Sequence, residues 1–175
     1  MECLLRSLPS SFQLEKLVIL FLSCSNIEQL WKENIPLYKL KVLNLKGSEN
    51  LIKALDFTTS PNLEILVLEG CTRLVYVHPS VGVLTRLKLL NLRGCKSLRS
   101  FPTKIRMESF EMLILSGCSK LQSFLEIDGK MERLLELCFD GTNIKELLSS
   151  IGNLRRLKLL NLKDCKSLKE FSNQN

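Results

Sequence analysis

Residues 87–101, LKLLNLRGCKSLRSF, return almost verbatim as residues 157–171, LKLLNLKDCKSLKEF, and no other feature of the chain restricts its fold as strongly. Aligned without gaps, the two segments agree at 11 of 15 positions, and the 70 residues between their starts divide into three shorter periods. With Leu87 as phase marker, equivalent starts fall at Leu17, Leu40, Leu63, Phe110, Leu134 and Leu157, at intervals of 23 or 24 residues. A chain with this period folds as stacked copies of one small unit. Large apolar residues recur at the first, fourth and sixth positions of each unit, as in Leu63, Leu66 and Leu68 or Leu134, Leu137 and Phe139. The final spacing of two predicts a strand whose alternate side chains point to opposite faces.

A unit this short cannot bury its own apolar face. Stability has to come from stacking, with neighbouring strands about 4.8 Å apart in a parallel sheet, so that seven strands span roughly 30 Å. Strands sit closer together than the bulkier segments behind them, which predicts a curved stack with its strands on the concave side. Residues 1–16 read as the tail of a truncated repeat, with Leu5 and Leu8 in the phase later held by Leu74 and Val77. Residues 17–175 read as seven repeats starting at 17, 40, 63, 87, 110, 134 and 157, the last incomplete. The units from Leu17 and Leu134 are a variant in which Ile27 and Ile144 come one residue early. HPSVGVLTR and SSIGNLRR, punctuated by Pro79, Gly82 and Gly152, predict single helical or 3₁₀ turns on the back, with Val81, Leu84, Ile151 and Leu154 facing inward. No polar capping repeat follows Phe171 before Asn175, so both ends are expected to expose residues of the core phase.

Seven cysteines occur without any Cys-x-x-Cys spacing, which leaves neither a zinc ribbon nor a thioredoxin-type motif. Cys71, Cys95, Cys118 and Cys165 share one slot, eight residues after the start of their units, and Ser25 and Thr142 take it in the variant units. A free cysteine turned into the core behaves as a small hydrophobe. Stacking would bring Cys71, Cys95 and Cys118 together, and a reducing compartment opposes a disulfide between them. The formal charge of +7 arises from 25 basic and 18 acidic residues, spread through every repeat, and reads as a solvated surface rather than a nucleic-acid footprint. The longest apolar run is the six residues from Leu17 to Leu22, far below the roughly 20 that span a bilayer. Neither a secretory signal nor an Asn-x-Ser/Thr acceptor is present, and both absences favour the cytosol.

With the unit read as LxxLxLxxCxxLxxF, the chain resembles leucine-rich repeats over essentially its whole length. Segments such as LVILFLSCSNIEQLW, VHPSVGVLTRLKLLNLRGCKSL and LILSGCSKLQSF resemble the repeats of plant intracellular immune receptors, the nucleotide-binding class with a TIR domain. The resemblance implies an α/β leucine-rich-repeat solenoid, with a curved parallel sheet on the concave face and short 3₁₀ or helical turns and loops on the convex face. It also implies a cytoplasmic or nucleo-cytoplasmic protein whose repeats sense a pathogen effector or guarded host protein and restrain the receptor's own nucleotide-binding domain. In that family a central switch binds ADP or ATP and the TIR domain cleaves NAD. This chain contains no GxxxxGK phosphate loop, and no two of its glycines lie closer than 11 residues, so neither activity is expected of it. It departs from the family wording at Leu148, where proline is usual, and at Leu125. A general scaffold or a substrate adaptor of a ubiquitin ligase is the alternative, although no F-box-like helical segment precedes the repeats; a non-functional receptor fragment is another.

Strand alternation places three rows on the concave face, the second, fourth and sixth residues after each unit's first. The second-position row, Ile19, Val42, Ile65, Leu89, Met112, Glu136 and Leu159, is apolar at six of seven places on a face nominally open to water, which suggests an interface. The fourth-position row, Phe21, Asn44, Val67, Asn91, Ile114, Cys138 and Asn161, alternates apolar with amide. The sixth-position row, Ser23, Lys46, Glu69, Arg93, Ser116, Asp140 and Lys163, predicts a cross-strand ion ladder through Lys46, Glu69 and Arg93. From these rows the candidate protein-binding residues are Phe21, Asn44, Val67, Glu69, Leu89, Asn91, Arg93, Ile114, Glu136, Cys138, Asp140 and Asn161. Glu136 and Asp140 flank Cys138 as one acidic spot for a basic partner and lack a pocket for paired-carboxylate catalysis. His78, the sole histidine, is expected on the back, away from Cys71, as a turn residue before Pro79 rather than in a triad. Trp31 reads as a packing residue. No catalytic residue, cofactor, metal, nucleic-acid or membrane contact is expected.

Overall fold

The computed structural model describes residues 6, 14–30, 35–52, 56–102, 104–105, 108–123, 126–127 and 131–172, the side chains of 104–105, 126–127, 148–150 and 170–172 excepted. Leu5, Leu8, Trp31 and Leu125 lie outside the described residues, as do the side chains of Leu148 and Phe171. Seven three-residue strands form one parallel sheet: β1 (Ile19–Phe21), β2 (Val42–Asn44), β3 (Ile65–Val67), β4 (Leu89–Asn91), β6 (Met112–Ile114), β8 (Glu136–Cys138) and β10 (Leu159–Asn161), neighbours in that order. Each begins two residues after its phase marker. Registers join like to like, so Leu43, Leu66, Leu90, Leu113 and Leu137 stack as one row, all completely buried. Burying one such leucine contributes roughly 1.5–3 kcal/mol, and the row gives that energy only when the coils are stacked.

Behind the sheet the chain is mostly irregular. The short strands β5 (Lys104–Ile105) and β7 (Glu126–Ile127) pair in parallel, as do β9 (Glu146–Leu148) and β11 (Glu170–Ser172). The expected back turns are present as 3₁₀ helices at Pro79–Val83 and Ser149–Asn153, and Val81, Leu84, Ile151 and Leu154 are buried as their spacing predicts. Ile27 and Ile144, the early residues of the variant units, are fully buried too. Toward the last strand burial declines, with Leu160 37% exposed where its counterparts Leu137 and Leu113 are at 0%.

Each strand is closed by a tight turn. In Leu45–Ser48 the Ser48 N–H donates to the Leu45 carbonyl at 3.0 Å, and Gly47 sits at φ 71°. Gly70, Gly94, Gly117 and Gly141 repeat that conformation at φ between 69° and 74°, as a turn with a left-handed third residue requires. The first and last strands put Cys24 at φ 52° and Asp164 at φ 58° in the same place. A Cβ added to Gly94 would meet only the Gly70 backbone at 3.9 Å, so the demand for glycine there is conformational, not steric.

The turn delivers the next residue into the core, and the cysteine slot does more there than fill space. The thiols of Cys71, Cys95, Cys118 and Cys165 donate to the carbonyls of Leu45, Leu68, Leu92 and Phe139 in the preceding coil, at 3.1–3.4 Å. Ser48 does the same to Leu22 O at 3.0 Å. At these five places the slot therefore supplies a donor to a strand-end carbonyl of the preceding coil. The three central thiols are near neighbours and free. Burial raises Cys71 and Cys118 to about 12 and pushes Cys95 up as well, Cys118 and Cys71 adding to the effect there.

Gly94→Ala is expected to destabilise the protein by about 1–2 kcal/mol, whereas Asp164→Gly, at the same backbone angle, is expected to stabilise it by less than about 1 kcal/mol; urea midpoints of the two variants should move in opposite directions. The raised thiols make a second prediction. Their protons are held by the native state, so the stabilisation is complete below the ordinary value of 9.0 and falls as pH climbs toward 12, by about 1.4 kcal/mol per cysteine per pH unit. Urea midpoints measured from pH 8 upward should decline, and less steeply in Cys95→Ala.

Candidate functional site

The rows that alternate with the core leucines form the concave face. At its first strand Ile19 is 52% and Phe21 66% exposed, and along the sheet Ile19, Val42, Ile65, Leu89 and Met112 are successive register partners. Five strands at about 4.8 Å make an apolar stripe roughly 19 Å long. Val67 and Ile114 stand beside it, half-buried, in the next row. Parallel neighbours on both sides fix the strands from β2 to β6, and β1, at the sheet edge, is held by β2 alone.

The amides of the fourth-position row serve the backbone. Asn44, Asn91 and Asn161 each accept, through the side-chain oxygen, the N–H two residues on, at Lys46, Arg93 and Lys163, over 2.9–3.1 Å. This Asx geometry shapes the strand end before the left-handed turn. Their NH₂ groups reach carboxylates: Asn91 donates to Glu69 Oε2 at 3.2 Å and Asn161 to Asp140 Oδ1 at 2.9 Å. Ser116, almost fully buried, donates to the same Asp140 oxygen at 2.6 Å. Asp140 is thereby the hub of the C-terminal half of the face.

The expected ladder through Lys46, Glu69 and Arg93 is only half made. Lys46 Nζ lies 3.1 Å from Glu69 Oε1, but the other carboxylate oxygen takes Asn91 rather than Arg93. Asn91 wins because its amide is shorter and already pinned by the Arg93 N–H. A fuller ladder runs five residues earlier in each unit: Glu64 bridges Lys41 at 3.2 Å and Lys88 at 2.8 Å. These donors, Lys88 first, hold the Glu64 carboxyl below its ordinary value. Sequence reasoning missed this trio, although the alternation Lys41, Glu64, Lys88, Glu111 at successive second residues was there to be read.

Glu136 and Asp140 do flank Cys138, whose side chain is only 8% exposed. Its thiol is pushed up by burial, then by Asp140 and Glu136, against Arg93, which keeps it protonated and a poor nucleophile. His78 is brought together with Asp56 and Ser80, a trio of triad composition. Ser80 Oγ at 2.8 Å and Asp56 Oδ1 at 3.7 Å both face Nδ1, however, whereas a triad needs serine and carboxylate on opposite ring nitrogens. Ser80 is also buried and accepts the Phe57 N–H at 2.8 Å. The trio caps the 3₁₀ helix at Pro79, the turn role expected of His78. Asp56 is held below its ordinary value chiefly by the Thr58 N–H. Among the described residues no cluster of His, Cys, Asp and Glu is arranged to hold a metal ion, and no helix is long and apolar enough to cross a membrane.

No family model matches the chain. It is 46% identical over 168 residues to the disease resistance-like protein DSC1 of Arabidopsis thaliana, covering 96% of this chain and 14% of that one. It is 45% identical to the disease resistance-like protein CSA1 of the same plant, over 94% of this chain and 13% of that one. The disease resistance protein RPV1 of Vitis rotundifolia is 50% identical over 78 residues, 45% of this chain and 6% of that one. The chain thus spans about a seventh or less of the relatives it matches. Among solved structures, a leucine-rich-repeat protein of Leptospira interrogans aligns over 97% of this chain and 59% of its own, at 22% identity and a TM-score of 0.45.

Glu64→Gln is expected to lower the urea midpoint at neutral pH and to leave it unchanged near pH 3. The depressed carboxyl stabilises above its unfolded value of 4.5, and that stabilisation is lost as pH falls. Equal midpoints at both pH values would show that the trio contributes nothing.

Proposed function

We propose that this chain, a homologue of TIR-class plant disease resistance proteins, is a non-catalytic protein-recognition module whose concave face binds a protein partner in the cytoplasm. The partner is a pathogen effector or a guarded host protein, and in a full-length receptor the same repeats restrain its nucleotide-binding domain. One observation carries this reading: the stripe from Ile19 to Met112, with Phe21 exposed beside it, is a contiguous apolar surface held rigidly open on one side of a sheet. Apolar patches of this kind mark interfaces.

The alternation that buries Leu43, Leu66 and Leu90 leaves Asn44, Val67 and Asn91 on the other side, so recognition residues vary without touching the core. Phe21, Val67, Leu89 and Ile114 would supply the apolar contact, and Glu69, Arg93, Glu136, Cys138 and Asp140 the polar rim. Asn44, Asn91 and Asn161 keep their places as partner contacts through whatever their amides do not give to the backbone. The absence of a triad geometry at His78 and of a reactive thiol at Cys138 supports a binding role over an enzymatic one.

Phe21→Glu, Val67→Glu and Ile114→Glu, combined in one chain, should abolish capture of the partner in a pull-down while circular dichroism stays native; retention of the partner would remove the concave face as the site. The purified chain incubated with ATP or NAD should turn over neither, and measurable hydrolysis would overturn the non-catalytic reading.

A further inference from the structure

On the sheet side Lys41, Lys46 and Lys88 are ion-paired with Glu64 and Glu69; on the flank where the chain leaves the strands the cations are not. Arg73, Lys96, Arg99, Lys120 and Lys145 come from four consecutive coils, all are exposed, and among the described residues none makes an ion pair. Arg73 reaches only a neutral partner, the Asn50 amide oxygen at 3.3 Å. Backbone bonds align this flank from coil to coil, with Arg99 N–H on the Val75 carbonyl at 2.9 Å and Lys145 N–H on the Gln122 carbonyl at 3.2 Å. Between the coils lies an open cavity of about 390 Å³ lined, among the described residues, by Arg99, Ser119, Lys120, Gln122 and Asn143, two cations among neutral polar groups. Beside it Val75 and Tyr76 are 36% and 44% exposed, and Tyr76 is bridged to Ser100. Cations around an exposed aromatic side chain have the composition of a protein–protein hot spot.

We propose that this flank docks a short acidic segment of a partner protein, with carboxylates over Arg99 and Lys120 and an apolar side chain against Val75 and Tyr76. Four coils at about 4.8 Å span roughly 14 Å, the length of about four extended residues. Exposed carboxylates flank the strip, Glu49 on the coil before it and Glu146 beside Lys145, and Lys166 and Lys169 extend its cations onto the following coil. The exposed Val75 and Tyr76 beside the cations favour a peptide, which brings an apolar side chain together with its carboxylates, over the phosphate backbone of a nucleic acid. The assignment does not depend on the concave face.

The test is fluorescence anisotropy with the full chain and three labelled probes: a short peptide of Asp and Glu around one Phe, its Asn and Gln counterpart, and single-stranded oligothymidylate, each at low and at high salt. The acidic peptide should bind, more weakly at high salt, and its neutral counterpart should not. Arg99→Glu with Lys120→Glu should weaken binding at least about tenfold, the loss of one close charge pair or more. Lys16→Glu with Lys39→Glu, exposed positions carrying the same change in net charge, should leave it within about twofold. Tyr76→Ala should weaken it at unchanged charge, and Phe21→Glu should not affect it, which separates this surface from the concave one. Equal loss in the two charge-reversed pairs, undiminished binding by Arg99→Glu with Lys120→Glu, or tighter binding of oligothymidylate than of the peptide would overturn the proposal.

Discussion

One backbone angle per coil makes the stack possible. A strand three residues long must turn at once if a 23-residue unit is to close, and the left-handed residue after it does the turning: Gly47, Gly70, Gly94, Gly117 and Gly141, with Cys24 and Asp164 at the two outer strands. That turn drops the next side chain onto the carbonyl of the preceding coil. Any small donor serves there, which is why Ser48 takes the carbonyl of Leu22 as the thiols of Cys71, Cys95 and Cys118 take those of Leu45, Leu68 and Leu92. Coils joined in this way come into register, and only in register do the leucines of successive strands bury one another. A packing energy that no single unit contains thus depends on a conformational choice that every unit makes locally.

The same geometry limits what the concave face has to offer a partner. Its amide oxygens hold the strand ends, its carboxylates hold the amides, and Lys46 is matched by Glu69. A partner contacting these groups would first have to displace bonds that the sheet already makes, and the exchange returns little. The apolar rows carry no such prior engagement. Ile19 and Phe21 in particular have only water to lose, so binding energy on this face should come from burial, with the polar rim setting orientation.

Much of this was legible from period alone. The positions of all the sheet strands, the burial of Val81 and Ile151 behind them and the back turn at Pro79 follow from apolar spacing, because stacking forces one-dimensional periodicity into space with little freedom. What escaped was sideways. Whether Glu69 takes Asn91 or Arg93 depends on side-chain length and on which group is already pinned, and no spacing encodes that. The Glu64 trio was visible as an alternation of sign but lay one residue outside the rows on which attention had settled. The donor role of the cysteines could not be separated from simple packing, since both call for a small side chain in the slot. Asp56, His78 and Ser80 share a site because two coils meet there, and only the ring nitrogen they share distinguishes a cap from a triad.

Charge carries the last lesson. Lysine and arginine are spread through every repeat, and as a list they describe a mildly basic surface. Folding sorts them by their place in the coil. A lysine just before the strand, such as Lys41 or Lys88, meets a glutamate at the same place in a neighbouring coil and is neutralised. A lysine a few residues later, past the turn, such as Lys96 or Lys120, makes no ion pair among the described residues, and its charge is left facing solvent. Two surfaces of different chemistry, one apolar with several of its ions already paired and one cationic with its ions unpaired, therefore stand on the same coils a few residues apart. Because the core leucines separate them, a change in either need not disturb the other, and a single stack of repeats has room for two independent contacts.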